Sequence, residues 1–171
     1  MERIKNHLRK IYIALAAGAM LIPAGSCREE TVITPATFSL LLTGQESKTW
    51  KLSAYRFIFD DPREPPFDIT FLVPPCQLDD LFSYYRAGRV LEITEGESSC
   101  EEGSDDLILR TSWEIVNANA SLFIGSSQFT LLKLTEDSLV YGVRDTLQYE
   151  IVPNTFEKVP GLFENTFLVA K

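Results

Sequence analysis

The stretch SLFIGSSQFTLLKLTEDSLVYGVRDTLQYEIV, residues 121–152, decides the fold. It breaks into short runs of aliphatic, aromatic and β-branched residues: Ser121–Ile124, Phe129–Thr135, Leu139–Arg144 and Leu147–Val152. Turn residues lie between them, at Gly125–Ser127, Glu136–Ser138 and Asp145-Thr146. Runs of about four to eight such residues bounded by Gly, Asp and Ser are strand signals, and their close succession signals hairpins. Helical spacing of the apolar positions is nearly absent.

The same pattern extends in both directions. Downstream, Phe163–Ala170 is a further strand candidate. Upstream, Leu107–Val116 is separated from Ser121 by Asn117–Asn119. Leu81–Tyr85 and Val90–Thr94 flank Arg86-Ala87-Gly88-Arg89, where Gly in third place fits a type I turn followed by a left-handed residue. Trp50–Phe59 alternates through Trp50, Leu52 and Ala54. Pro62, Pro65 and Pro66 make Asp60–Pro66 a charged turn, because proline cannot sit in a central strand. Phe67–Val73 resumes strand character until Pro74-Pro75, and Gly96–Asp106 is an acidic loop. One short helix is expected over Thr37–Thr43, with Thr37 as N-cap and Gly44 near the C-cap. About nine short strands at roughly ten-residue spacing predict an all-β sandwich or barrel. Consecutive hairpins favour up-and-down order, and closure into a barrel would remove exposed edges.

The other informative segment is the N-terminus. A basic head (Arg3, Lys5, Arg9, Lys10) precedes the apolar run Ile11–Ile22, then Ala24-Gly25-Ser26 and Cys27. That order is a secretory signal. The run is too short for a membrane span, which needs about 20 residues. The segment reads as a lipoprotein signal peptide over residues 1–26, with acyl chains such as palmitate on Cys27. Cleavage elsewhere near Ala24 is the alternative. Ala24 departs from the usual lipobox, which carries Leu or another aliphatic residue three places before the cysteine. Residues 27–39 then read as a tether and 40–171 as the folded domain. Glu29-Glu30 resembles the acidic surface-export signal of Bacteroidota lipoproteins, although two glutamates also suit a solvated tether.

Removing residues 1–26 moves the net charge from −8 to −11 and leaves 145 residues, the size of one domain. The acidic balance argues against nucleic acid and against docking on anionic lipid. Membrane attachment would come from the acyl chains. The sole histidine, His7, leaves with the signal. Ser-His-Asp and Cys-His chemistry, and imidazole metal sites, are excluded with it. Nothing in the spacing selects two carboxylates for glycosidase work, so no catalytic residue, cofactor or metal is expected. Asp79-Asp80 and Glu95–Asp106 are rich in carboxylates but lack the ordered spacing of a calcium loop. With Cys27 set aside, Cys76 and Cys100 are an even pair, which in an oxidising compartment reads as a disulfide; two free thiols remain the alternative.

Four segments carry a family resemblance. They are Leu42-Thr43-Gly44 with Lys48-Thr49-Trp50-Lys51-Leu52; Cys76-Gln77-Leu78-Asp79-Asp80 leading into Leu81-Phe82-Ser83-Tyr84 and Gly88; Glu95-Gly96 before Cys100; and Ser112-Trp113-Glu114-Ile115 followed by Phe129–Leu139. Together they resemble the lipocalin-like lipoproteins of Bacteroidota over roughly residues 40–150. The resemblance implies an antiparallel barrel of about eight strands, Trp50 on the first strand near a closed end, and Cys76 and Cys100 bracketing a hairpin. The long, proline-rich Ala54–Pro75 and the Phe-rich end Pro153–Lys171 depart from the pattern and would cap or fill the barrel mouth. Asp137-Ser138-Leu139 and Asp145-Thr146-Leu147 resemble the O-glycosylation signal of that group, and both fall at expected turns, where Asp, Ser and Thr also bond their own backbone.

The resulting expectation is a monomeric, non-catalytic lipoprotein of the outer membrane, facing the periplasm or the cell surface. Its barrel would bind a small apolar or amphipathic ligand, with Trp50, Phe82, Tyr84 and Trp113 as lining candidates. The competing role for these aromatics is core packing. The alternative function is an interaction module whose loops, Asp60–Pro66 and Glu95–Asp106, meet a protein or glycan.

Overall fold

A computed structural model describes residues 35–100, 106–116, 121–152 and 155–170. The expected signal segment, Cys27 and the expected turn at Asn117–Asn119 lie outside the described residues. Among the described residues one α-helix, α1 (Pro35–Thr43), precedes nine strands. These are β1 (Ser47–Phe59), β2 (Phe67–Asp68), β3 (Leu81–Tyr85), β4 (Val90–Thr94), β5 (Leu107–Val116), β6 (Ser121–Ile124), β7 (Ser127–Leu134), β8 (Ser138–Val152) and β9 (Thr155–Val169).

Strands β3 to β9 pair antiparallel in sequence order, and β1 closes the ring by pairing with both β3 and β9. The result is the expected up-and-down barrel of eight strands, with β2 added on β1. Closure leaves no continuous open edge around the ring.

Strand alternation puts one set of side chains inside. Trp50 lies opposite Phe82, Tyr84 opposite Leu91, Trp113 opposite Ile124, and Tyr141 opposite Asn165. Trp50, Tyr84, Leu91, Trp113, Leu122, Leu139, Tyr141 and Phe167 form one buried cluster with Leu42 of the helix.

Helix α1 begins at Pro35, before the expected Thr37, and stops where Gly44 takes φ +64 and donates its N–H to Leu40 O at 2.7 Å. That left-handed residue satisfies one of the carbonyls the last turn leaves open. Two more are met by β1: Lys48 Nζ donates to Leu41 O at 2.7 Å and Trp50 Nε1 to Leu42 O at 2.9 Å. The helix touches β1, β3, β5 and β7 and so crosses one end of the barrel.

The turn Arg86–Arg89 carries Gly88 at φ 71, as the hairpin chemistry requires. Two expectations are corrected. Phe67–Val73 is not one strand: β2 ends at Asp68, and a 3-10 turn, Thr70–Leu72, follows. Asp68 Oδ1 accepts the Thr70 N–H at 2.8 Å, which bends the chain out of extended form. Asp145-Thr146 is not a turn either, because β8 runs unbroken through it against Gly161 and Pro160 of β9. A partner strand in register outweighs the local turn preference of an Asp-Thr pair.

Candidate functional site

The two ends of the barrel differ in how their inner face is filled. At the α1 end, Trp50 and Trp113 are buried, and Trp113 Nε1 donates to Tyr85 O at 3.0 Å. Phe82 packs edge-on against Phe167, with ring centres 4.9 Å apart. Tyr141 stacks on Phe167 at 5.2 Å, and Tyr84 meets Trp113 at 6.2 Å. The four aromatics predicted to line a ligand site are therefore brought together, in the packed core or against it. The Tyr84 hydroxyl is buried beside that of Tyr141 but outside hydrogen-bond geometry. Burial first, and then the neighbouring phenol, pushes the Tyr84 hydroxyl far above its ordinary range.

At the other end the strands have unequal lengths. The β6–β7 turn sits level with Ser112, whose carbonyl accepts the Gly125 N–H at 2.8 Å. On one side β5 runs on to Leu107; on the other, β8 pairs with β7 only as far as Gly142 and continues to Val152. The inner face consequently lacks a wall there. Phe67 shares the face of its partner Phe57, Leu109 that of Ile93, and Val143 and Tyr149 that of Tyr141. These four side chains are 47%, 43%, 39% and 42% exposed, although they point toward the barrel side.

The β1–β2 segment frames this mouth. Ile69 is buried and its N–H donates to Tyr55 O at 2.9 Å; Thr70 Oγ1 accepts the Tyr55 N–H at 2.8 Å. Held by these bonds, Phe71 projects 71% exposed and packs edge-on against Phe67 at 6.3 Å. Within the mouth, the Tyr55 and Phe163 rings lie 6.0 Å apart and those of Phe57 and Phe163 5.0 Å apart. The Tyr55 phenol is raised by partial burial and then by the negative charge of Asp145.

Cys76 and Cys100 are joined, with Cα atoms 5.2 Å apart, and bracket the β3–β4 hairpin. Next to the bridge, Asp79 Oδ2 accepts the Ser98 N–H at 2.9 Å. Gly96 presses on the Asp79 carbonyl so closely that a Cβ has no room. Asp80 is buried; burial, and then the charges of Asp79 and Glu95, raise its carboxyl above the usual range. Among the described residues, no group of three His, Cys, Asp or Glu side chains is placed to hold a metal ion. A cleft of about 600 Å³ lies on the outer wall beside the β1 bulge, among Lys51, Ser53 and Leu168.

The sequence marked the aromatics but not the mouth. Leu109, Val143 and Tyr149 read as ordinary strand positions, and only strand lengths and register make them an exposed inner surface. The fold and site define a class: a closed eight-stranded antiparallel barrel with a helix across one end and an apolar mouth at the other. No protein-family model and no curated protein matches the chain in sequence.

Proposed function

We propose that this chain is an exported, lipid-anchored binding protein whose lipocalin-like barrel takes a small apolar or amphipathic ligand at its open end. The carrying observation is the exposure of Phe67, Leu109, Val143 and Tyr149 on the face that is buried at the other end. An inward-facing apolar surface left in contact with water is what a ligand with an apolar body would cover. The anchor rests on the signal pattern around Cys27, and the work proposed is binding without catalysis, since no histidine remains after residue 7. The outer membrane is the proposed location.

The test is binding of a neutral fluorescent naphthylamine probe, with Leu109→Asp and Val143→Asp as variants whose fold is checked by circular dichroism. The expected result is enhanced probe fluorescence that both substitutions abolish. A probe that stays dark, or that binds both variants equally well, overturns this reading. Native mass spectrometry of the protein from its own cells would report the acyl chains and any retained ligand together.

A second reading is supported by Phe71 and Leu72, which stand exposed in the 3-10 turn that follows the Asp60–Pro66 turn and β2. Such a patch suits a partner protein or glycan met from outside. Loss of partner capture after shortening residues 60–66 would favour it, and unchanged capture would count against it.

A further inference from the structure

The charges of the mouth follow the same alternation as its apolar residues. Asp145 lies on the inner face of β8, between Val143 and Leu147 in the inward series. Glu157 lies opposite Tyr149 on that face and accepts its hydroxyl at 2.9 Å. The cations of this end all belong elsewhere. Arg56 bonds Glu164 and Arg110 pairs with Glu92, both pairs on the outer wall. Arg144 reaches Asp60 at 2.6 Å from the outer face of β8, and Arg63 is held by Asp61 in the turn. Lys158 lies opposite Gln148, in the outward series. Among the described residues, the inner face of the open end therefore carries carboxylates and no cation.

The neighbours of Asp145 sharpen this. Its cross-strand partner is Gly161, which has no side chain. The Phe57 ring lies against that glycine, leaving no room there for even a Cβ. Phe163 lies opposite Val143, one inward step away, with Tyr55 in ring contact beyond it. Asp145 is close enough for its charge to act on Tyr55. Asp145 Oδ1 accepts the Thr146 N–H at 2.7 Å. A carboxylate on the same face as aromatic rings is the chemistry that receives an ammonium group: the acid supplies the charge contact and the rings supply cation–π attraction.

We infer that the open end is selective for an amphiphile with an ammonium head, the head held by Asp145 among Tyr55 and Phe163 and the tail laid on Leu109 and Val143. This rests on the mouth-binding reading above. It goes further in assigning the charge of the ligand and in excluding a fatty-acid anion, whose carboxylate would face Asp145 with no cation to meet it.

The experiment is calorimetric titration of the purified protein with three probes of one tail length, below their micelle concentrations: decyltrimethylammonium, decyl maltoside and decanoate. The cationic probe should bind roughly ten-fold tighter than the neutral one, the scale of one partly desolvated charge contact. Decanoate should bind weakest. Asp145→Asn should bring the cation down to the level of the maltoside and leave the maltoside unchanged. Glu114→Gln, which removes an outer-wall acid paired with Arg89, should change neither. If no probe binds, the mouth reading itself fails. Equal binding of the three probes, or a cation preference lost equally in Glu114→Gln, overturns the selectivity while leaving the mouth as a binding site.

Discussion

The two ends of this barrel share strands and alternation but differ in what meets their inner face. At the α1 end every strand has neighbours on both sides, and a helix lies across the opening. Leu42, Trp50 and Leu139 are fully buried there. At the other end β5 and the β8–β9 ribbon outrun the short β6–β7 hairpin; Phe57 stays buried, but Phe67, Leu109, Val143 and Tyr149 of the same face meet water. The difference teaches that an inward-pointing side chain is not by itself a core side chain. It becomes one only where the wall around it is complete.

The strongest way to break the contrast is Trp50→Ala. It removes the largest buried side chain and the donor to the Leu42 carbonyl. A loss of about 3–5 kcal/mol is expected in denaturant unfolding. Opening the Cys76–Cys100 bridge with reductant should cost roughly 3–4 kcal/mol on the chain-entropy account, read as a lower unfolding midpoint of the same protein. Gly161→Ala tests the junction between barrel and ribbon. The added methyl has no space beside the Phe57 ring and the Ile58 carbonyl, so about 1–3 kcal/mol should be lost.

Asp80→Asn separates charge from packing near the bridge. Asp80 has a raised carboxyl in the fold, because burial and then Asp79 and Glu95 disfavour its ionised form. Ionisation in the folded protein is therefore destabilising. That penalty is absent below the ordinary aspartate value of about 3.9 and complete above the raised one. The variant should melt slightly higher at neutral pH, and its advantage should vanish as the pH falls through that window. Melting curves at several pH values would show this, and an advantage that persists in acid would refute it. The smallest effect is expected at the ribbon: Phe156→Ser, at an exposed position, should shift stability by no more than about 0.5 kcal/mol.

Much of the fold was legible because strand signals are local. The Arg86–Arg89 turn, the Gly44 helix stop, the disulfide pair and the up-and-down order could be read from residue types and spacing. What escaped depended on partners distant in sequence. Asp145-Thr146 looks like a turn until β9 is laid beside it. Phe67–Val73 looks like a strand until Asp68 and Tyr55 draw Thr70 into a 3-10 turn. Trp50, Phe82, Tyr84 and Trp113 were marked as aromatics that either line or fill, and only their burial shows them in or against the packing.

By itself, the sequence determined the all-β class, the acidic balance, the absence of histidine beyond residue 7 and the signal-like start. These are consequences of composition and of period-two patterning, which need no knowledge of neighbours. Only the tertiary structure decided which end is shut, which aromatics are packed away, and where apolar side chains share a face with Asp145. Those outcomes depend on the relative lengths and register of strands, which long-range pairing sets and local residue preference does not.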